Sequence, residues 1–257
     1  MDRMIAQRNF YHAFQPVMHL DNQAVFGYEA LIRSETVASP DLLFKMAKEQ
    51  NKLFELDLLS ISRAMAVFFT NRRIRDSSEV LFLNVFPSSL ADESFRQTVE
   101  EELRDYRQMA HRIIFEINEE MSQADAWNDE RFIGNIRFLR RIGFRVAFDD
   151  VGDGATTFRN IIEIAPDFIK LDRYFGQKLS SSEQKQKVLR LFAEYCNNET
   201  GLILEGIEEA EDLAQARHLG VRLGQGFLLS EPRRLSDLIP QEDVPYHYGK
   251  GVRNCGR

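Results

Sequence analysis

Short apolar runs rich in β-branched residues recur along the chain: FQPVMHL (14–20), AVFGYEALI (24–32), VLFLNVF (80–86), RIIFEIN (112–118), RVAFDD (145–150), DFIKLD (167–172), LILEGI (202–207) and VRLGQGF (221–227). Most are too short for helices and too continuously apolar for strands with one face in water. That pattern predicts strands of a parallel sheet buried on both faces. Helical periodicity separates them. FIGNIRFLRRIG (132–143) sets Ile133, Ile136, Phe138 and Leu139 on one face and arginines on the other, KVLRLFAEYC (187–196) is similar, and EDLAQARHLG (211–220) ends on a C-cap glycine. The Leu-Asp-Asn-Gln between the first two runs is too short for a crossover helix, so those strands are expected to form a hairpin. From Val80 onward, strand and helix alternate, which implies a mostly parallel sheet. Eight such strands predict an α/β fold: a modified TIM (β/α)8-like barrel with one antiparallel strand near its start. A doubly wound open sheet is the alternative, but no glycine-rich phosphate fingerprint follows the first strand. The barrel is assigned to residues 1–234, and residues 235–257 are expected to extend beyond it as a flexible C-terminal tail.

The 257 residues fit one such barrel with little remainder, since these folds run to roughly 250 residues. A composition of 44% hydrophobic and 28% charged residues excludes disorder, collagen and coiled coil. The net charge of −7, from 33 basic and 40 acidic residues, is the wrong sign for a duplex nucleic acid partner. It still allows a small anionic ligand if cations sit between ligand and protein. Cys196 and Cys255 form neither a disulfide framework nor a zinc motif. The N-terminal MDRMIAQRNF has no apolar core, and the AMAVFF run (64–69) is too short to span a bilayer. A cytoplasmic protein without a membrane span is expected.

The acids fall in informative places. Glu29 ends AVFGYE, Glu116 lies late in RIIFE, Asp149 and Asp150 close RVAF, Asp172 closes DFIKL, and Glu205 and Glu208 flank the end of LILEGI. Asn84 adds a neutral oxygen late in VLFLN. Burying an unpaired carboxylate costs several kcal/mol or forces its protonation, so acids in apolar strands demand partners. In a barrel these positions converge on the C-terminal rim, where active sites sit. Divalent cations resolve the mutual repulsion, and an all-oxygen set with little histidine selects Mg2+ or Mn2+ over zinc or copper. A single acid at a strand end is ordinarily a helix N-cap, and Asp149-Asp150 alone fits that reading. Acids at the ends of five separate strands do not. Lys170 lies two residues before Asp172, so one strand would turn both to the same side, where the lysine can orient a water or simply pair with Asp172. Gln225 and Arg33 are further polar candidates, each with an ordinary structural reading beside the functional one. The histidines at 12, 19, 111, 218 and 247 show no ligand spacing.

The segments FQPV (14–17), EALIR (29–33), LNVFPSSL (83–90), FEINEE (115–120), FDDVGDG (148–154), IKLD (169–172), EGIE (205–208) and GQGF (224–227) occur in this order. The set resembles the EAL domain family of bacterial cyclic di-GMP phosphodiesterases, from about Phe10 to Pro232. The resemblance implies that Glu29, Asn84, Glu116 and Asp149 hold one metal, and that Asp149 bridges to a second held with Asp150 and Glu208. It implies catalytic roles for Lys170, Glu208 and Asp150, with Lys170 touching the nucleophilic water and Asp172 beside it. Gln15, Leu31, Arg33, Asp172 and Gln225 would contact substrate, and Glu119 would brace the loop after Asp150. Two Mg2+ or Mn2+ ions per site, a homodimer, and hydrolysis of cyclic di-GMP to linear pGpG are implied with them. The chain departs from the family pattern at Asn118, where Thr is common, at Val151, where Phe is usual, and at Asp153, where Thr or Ala is usual. These departures leave an alternative: a weak or inactive cyclic di-GMP receptor that signals through a protein partner. The length leaves no room for a cyclase or sensor domain, so regulation is expected through oligomerisation or an unidentified regulatory protein.

Overall fold

A computed structural model describes residues 1, 5, 9–118, 127, 129–152, 157–196 and 199–239. Eight strands close into a barrel in sequential order: β1 (Tyr11–His19), β2 (Val25–Arg33), β3 (Val80–Val85), β4 (Ile113–Asn118), β5 (Arg145–Val151), β6 (Phe168–Leu171), β7 (Gly201–Leu204) and β8 (Leu223–Gly224). β1 runs antiparallel to both its neighbours, β2 and β8, and every other pair is parallel. The β1–β2 hairpin follows from its short connection, closed by a backbone bond from His19 N to Ala24 O at 2.8 Å.

Longer helices pack outside the strands: α1 (Pro40–Glu49), α2 (Leu53–Thr70), α3 (Glu130–Arg141), α4 (Phe158–Ile164), α5 (Glu183–Tyr195) and α6 (Ala210–His218). Their starts carry chemical signals. Ser39, Asp129, Thr157 and Ser182 each accept a backbone N–H from the first turn that follows. The glycine expected after α6 is Gly220, whose φ of +87° lies in the left-handed region that ends helices. The AMAVFF run is the C-terminal third of α2, whose Ala64, Met65, Phe68 and Phe69 are buried against the barrel wall. Its apolar character belongs to a helix packed on a sheet, and among the described residues no helix is long and apolar enough to cross a membrane. After β8 the chain pairs back onto β1 through reciprocal Phe14–Arg233 backbone bonds, and Leu235 and Ile239 are buried in the main core. Residues 240–257 lie outside the described residues.

Two apolar layers result, beside a small third cluster of Ile5, Phe10, Ile32, Leu43, Ala47 and Leu56. The larger lies between sheet and helices; the smaller fills the lower barrel interior with Val17, Val80, Phe82, Ile114, Ala147, Phe168, Ile203 and Leu223. Phe82 is the hub of the inner layer, with its ring centroid 6.2 Å from that of Phe26 and 5.6 Å from that of Phe168. Phe82→Ala should therefore cost about 3–5 kcal/mol, read as a lower urea midpoint with an unchanged m-value. A loss below about 1 kcal/mol would mean that the inner layer collapses to fill the space.

Candidate active site

The upper barrel interior is polar for a geometric reason. Successive strand residues face opposite sides of a sheet, so the residue two positions above each inner-layer side chain also points inward. Those positions carry Asn84 above Phe82, Glu116 above Ile114, Asp149 above Ala147, Lys170 above Phe168, Glu205 above Ile203 and Gln225 above Leu223. In antiparallel β1 the order is reversed, with Gln15 above Val17; β2 contributes Glu29. Glu205 and Gln225 sit one residue beyond β7 and β8. Backbone bonds from Glu205 N to Leu171 O and from Gln225 N to Leu204 O hold them in line, at 3.1 and 2.9 Å.

Lys170 stands at the centre, fully buried. Its Nζ lies 2.8 Å from Glu116 Oε1, 2.8 Å from Glu205 Oε1, 2.9 Å from Asp149 Oδ1 and 3.3 Å from Glu29 Oε2. Gln225 Nε2 donates to Glu29 Oε2 at 2.8 Å, and Asn84 Nδ2 donates to Glu29 Oε1 at 3.2 Å and Glu116 Oε2 at 3.4 Å.

Asp150 reaches the same rim by a different device. Strict alternation would turn it away from Asp149, but the β5–β6 register shifts between Phe148 and Val151, and Asp150 takes a φ of +55°. Aspartate tolerates this left-handed conformation better than most residues. Gly152 follows with φ +109°, and a Cβ there would lie 2.5 Å from the Phe175 ring, so any other residue would be strained and would displace that ring. Both carboxylates then line the cavity.

Electrostatics follow from burial and crowding. Burial pushes the Lys170 ammonium down, but Asp149, Glu116, Glu205 and Glu29 outweigh it and hold the group well above its ordinary value. Burial and then Glu29 raise Glu116 well above the usual carboxylate range, against the pull of Lys170. Burial, then Asp149, pushes Asp150 up to about 7, and burial offset in part by Lys170 leaves Glu205 at about 8. Glu29 is lowered: the cost of burial is outweighed by Lys170, Gln225 and Asn84.

The residues fit hard divalent cations. Ligand oxygens of Glu29, Glu116 and Asp149 lie within 4.8 Å of one another, and so do those of Asp149, Asp150 and Glu205. Asp149 belongs to both groups. All donors are oxygens, and one ammonium leaves the buried carboxylates undercompensated. A cavity of about 1040 Å³ opens over this ring and runs out past Leu31, Arg33, Phe44 and Lys45.

Several expected residues have hydrogen-bond partners outside the acidic cluster. Glu208 is exposed at the cavity edge and accepts a hydrogen bond from Gln177 at 3.0 Å; the acidic cluster has Glu205 in its place. Asp172 lies just past the end of β6 and accepts from Tyr174 N at 2.8 Å, capping the short helix Arg173–Gly176. It is not among the ion-pair partners of Lys170. Gln15 lines the cavity but donates to Ser230 O at 3.1 Å, and Arg33 donates to Ile32 O at 2.8 Å. Glu119 and Asp153 lie outside the described residues. Three further acids line the cavity, Asp41 and Glu49, both exposed, and Asp57 in α2, which is buried and accepts from Phe86 N at 3.0 Å. Burial pushes Asp57 up to about 7, partly offset by the bond from Phe86 N–H. Its flanking leucines, Leu56 and Leu58, were the available signal of an acid in a buried helical register.

Known proteins share this arrangement of strands. The chain is 28% identical over 245 residues to "Probable cyclic di-GMP phosphodiesterase PdeI" of Escherichia coli (strain K12), covering 89% of this chain and 31% of that protein. It is 26% identical over 227 residues to "Cyclic di-GMP phosphodiesterase RocR" of Pseudomonas aeruginosa, covering 85% and 56%. The chain thus spans only about a third to a half of these relatives. The solved manganese and cyclic di-GMP complex of Klebsiella pneumoniae BlrP1 superposes with a TM-score of 0.78 at 25% identity, over 88% of this chain and 56% of that one. The EAL enzyme Bd1971 shares the fold, with a TM-score of 0.81 at 22% identity, over 92% of this chain and 65% of that one. A profile described as "EAL domain" matches residues 1–232, and the chain belongs to that family.

Proposed function

We propose that the protein is a phosphodiesterase that hydrolyses one phosphodiester bond of cyclic di-GMP to give linear pGpG, with two Mg2+ or Mn2+ ions per site. The observation that carries this reading is the pair of carboxylate groups sharing Asp149, set above Lys170 at the floor of an open cavity. A pair of bound divalent cations would supply a water of lowered pKa and neutralise charge on both sides of an in-line displacement. They also reconcile an anionic substrate with an acidic ring. Lys170, kept as an ammonium by its four carboxylates, has only N–H groups to offer. It therefore orients the attacking water and does not take its proton. Gln225 and Asn84 fix the Glu29 carboxylate through both its oxygens. The guanine and ribose parts of the substrate are assigned to the outer cavity, with Leu31 and Arg33 at its wall.

We propose a homodimer as the working form. Phe158 (74% exposed) and Ile162 (69%) on α4 adjoin Leu191 (66%) and Tyr195 (51%) on α5, and the Phe158 and Phe192 rings stack at 6.1 Å across the two helices. Such an apolar patch on two adjacent helices fits a second copy of itself. Because α4 follows the loop after Asp150, pairing there would also bear on the second carboxylate group.

Incubation with cyclic di-GMP and Mn2+ should yield pGpG, and EDTA should stop it. Tight binding without product would favour the receptor reading instead. Glu29→Ala and Asp149→Asn should each lower kcat at least about 1,000-fold, since metal and its charge stabilisation are lost together. Without metal, Asp149→Asn should not lower the melting temperature, because it removes a charge that burial and Glu29 already penalise, whereas Glu29→Ala should lower it, because Lys170, Gln225 and Asn84 lose a shared buried partner. Turnover at the parental rate in either variant would displace the site.

Cation binding must also expel protons. Asp150 at about 7 and Glu205 at about 8 hold protons near neutrality in the cation-free ring, so affinity is weak below those values and gains as pH rises through them. Mn2+ affinity measured by calorimetry should tighten at least about tenfold from pH 6 to pH 8, with proton release seen as a buffer-dependent enthalpy. A flat profile would contradict this coupling.

Light scattering should report a dimer, and Phe158→Asp with Ile162→Asp a folded monomer. A parent that is monomeric at high concentration would remove the dimer from the proposal.

A further inference from the structure

Asn118 closes β4, opposite Asp149 in the β4–β5 ladder, and donates its Nδ2–H to Asp150 Oδ2 at 3.2 Å. Among the described residues this is the one side-chain hydrogen bond that Asp150 receives. The charged groups facing the Asp150 carboxylate are Asp149, Asp172 and Glu29, which repel it, and Lys170, which attracts it. The left-handed backbone brings Asp150 to the rim, but the β5–β6 ladder skips Asp149 and Asp150, so the rotamer of the Asp150 carboxylate is left to its side-chain partners. Some device must keep a carboxylate turned toward two others that repel it, and the amide of Asn118 is in position to do so.

Resting on the two-cation reading above, we propose that Asn118 is the positioning residue of the second cation site. Its amide holds Asp150 toward Asp149 and Glu205, so that the second group of ligands is formed before the ion arrives. An amide suits the task for two reasons. The NH2 is a donor whether Asp150 is ionised or protonated, whereas a carboxylate here would add to the repulsion. Its nitrogen also stands one bond farther from the backbone than a threonine hydroxyl, the group common at this place in the pattern the chain resembles. Lys170 touches members of both groups, but Asn84 and Gln225 hold only Glu29 and Glu116 of the first and Asn118 holds Asp150 of the second, so loss of Asn118 falls on one cation and spares the other.

The test is a Mn2+ titration of the full chain, followed by the electron paramagnetic resonance signal of free Mn2+, for the parent, Asn118→Ala and Asn118→Leu. Leucine fills the volume of asparagine without a donor, so it separates the hydrogen bond from packing. Both variants should weaken one of two binding steps about 10- to 100-fold, as loss of an outer partner of a metal ligand does, and leave the other unchanged. In hydrolysis, the Mn2+ concentration for half-maximal rate should rise by the same factor. The KM for cyclic di-GMP should stay constant, a split that a general packing role would not produce. The unchanged step also reports that the variants are folded. Two unaltered steps in both variants would overturn the proposal, as would a parental titration in Asn118→Leu alone. A single step in the parent would overturn the two-cation reading before any substitution is considered.

Discussion

One ammonium among four carboxylates governs this barrel. Lys170 is buried at the axis, where an isolated cation would cost several kcal/mol, and it persists there because Glu29, Glu116, Asp149 and Glu205 surround it within 3.3 Å. The dependence runs both ways, since among the described residues those carboxylates have no other cation that close. The balance is incomplete. A single positive charge cannot neutralise the ring, and burial, with the neighbouring carboxylates adding to it, raises the proton affinity of Glu116, Asp150 and Glu205. A site in this condition can take up either protons or hard cations.

The inner apolar layer and the acid ring are one construction. The same strands that pack Phe82, Ile114, Ala147, Phe168 and Ile203 at the lower level present Asn84, Glu116, Asp149, Lys170 and Glu205 two residues higher. Rigid packing below fixes the spacing of charged groups above, which a site built on loops would lack. The exception is the β5 bulge, where regular pairing is given up so that two consecutive acids share one rim. That irregularity leaves Asp150 short of backbone constraint, and Asn118 is placed to supply it.

Much of this was legible in the chain. Short apolar runs ended by acids marked the strands and their functional ends, because burial on both faces and a polar tip write themselves directly into local sequence. The inward register of Lys170 is legible in its apolar strand, but the same spacing wrongly extends that strand to Asp172. The strand stops at Leu171, and the chain turns there into a short helix that Asp172 caps. Glu205 and Glu208 could not be ranked by spacing alone, since Gly206 lies between them with a φ of +69° and breaks the alternation. Asp57 escaped notice because a buried acid inside a helix has no strand end to mark it.

The sequence by itself determined the class of fold, the order of the strands and the kind of chemistry, since hydrophobic period and residue type are local properties. Which acids meet, which one caps a helix, and how a lysine becomes their shared counter-ion were decided only by the tertiary structure. Those outcomes depend on distances of a few ångströms between side chains as far apart in sequence as Glu29 and Gln225, which closure of the barrel alone brings together.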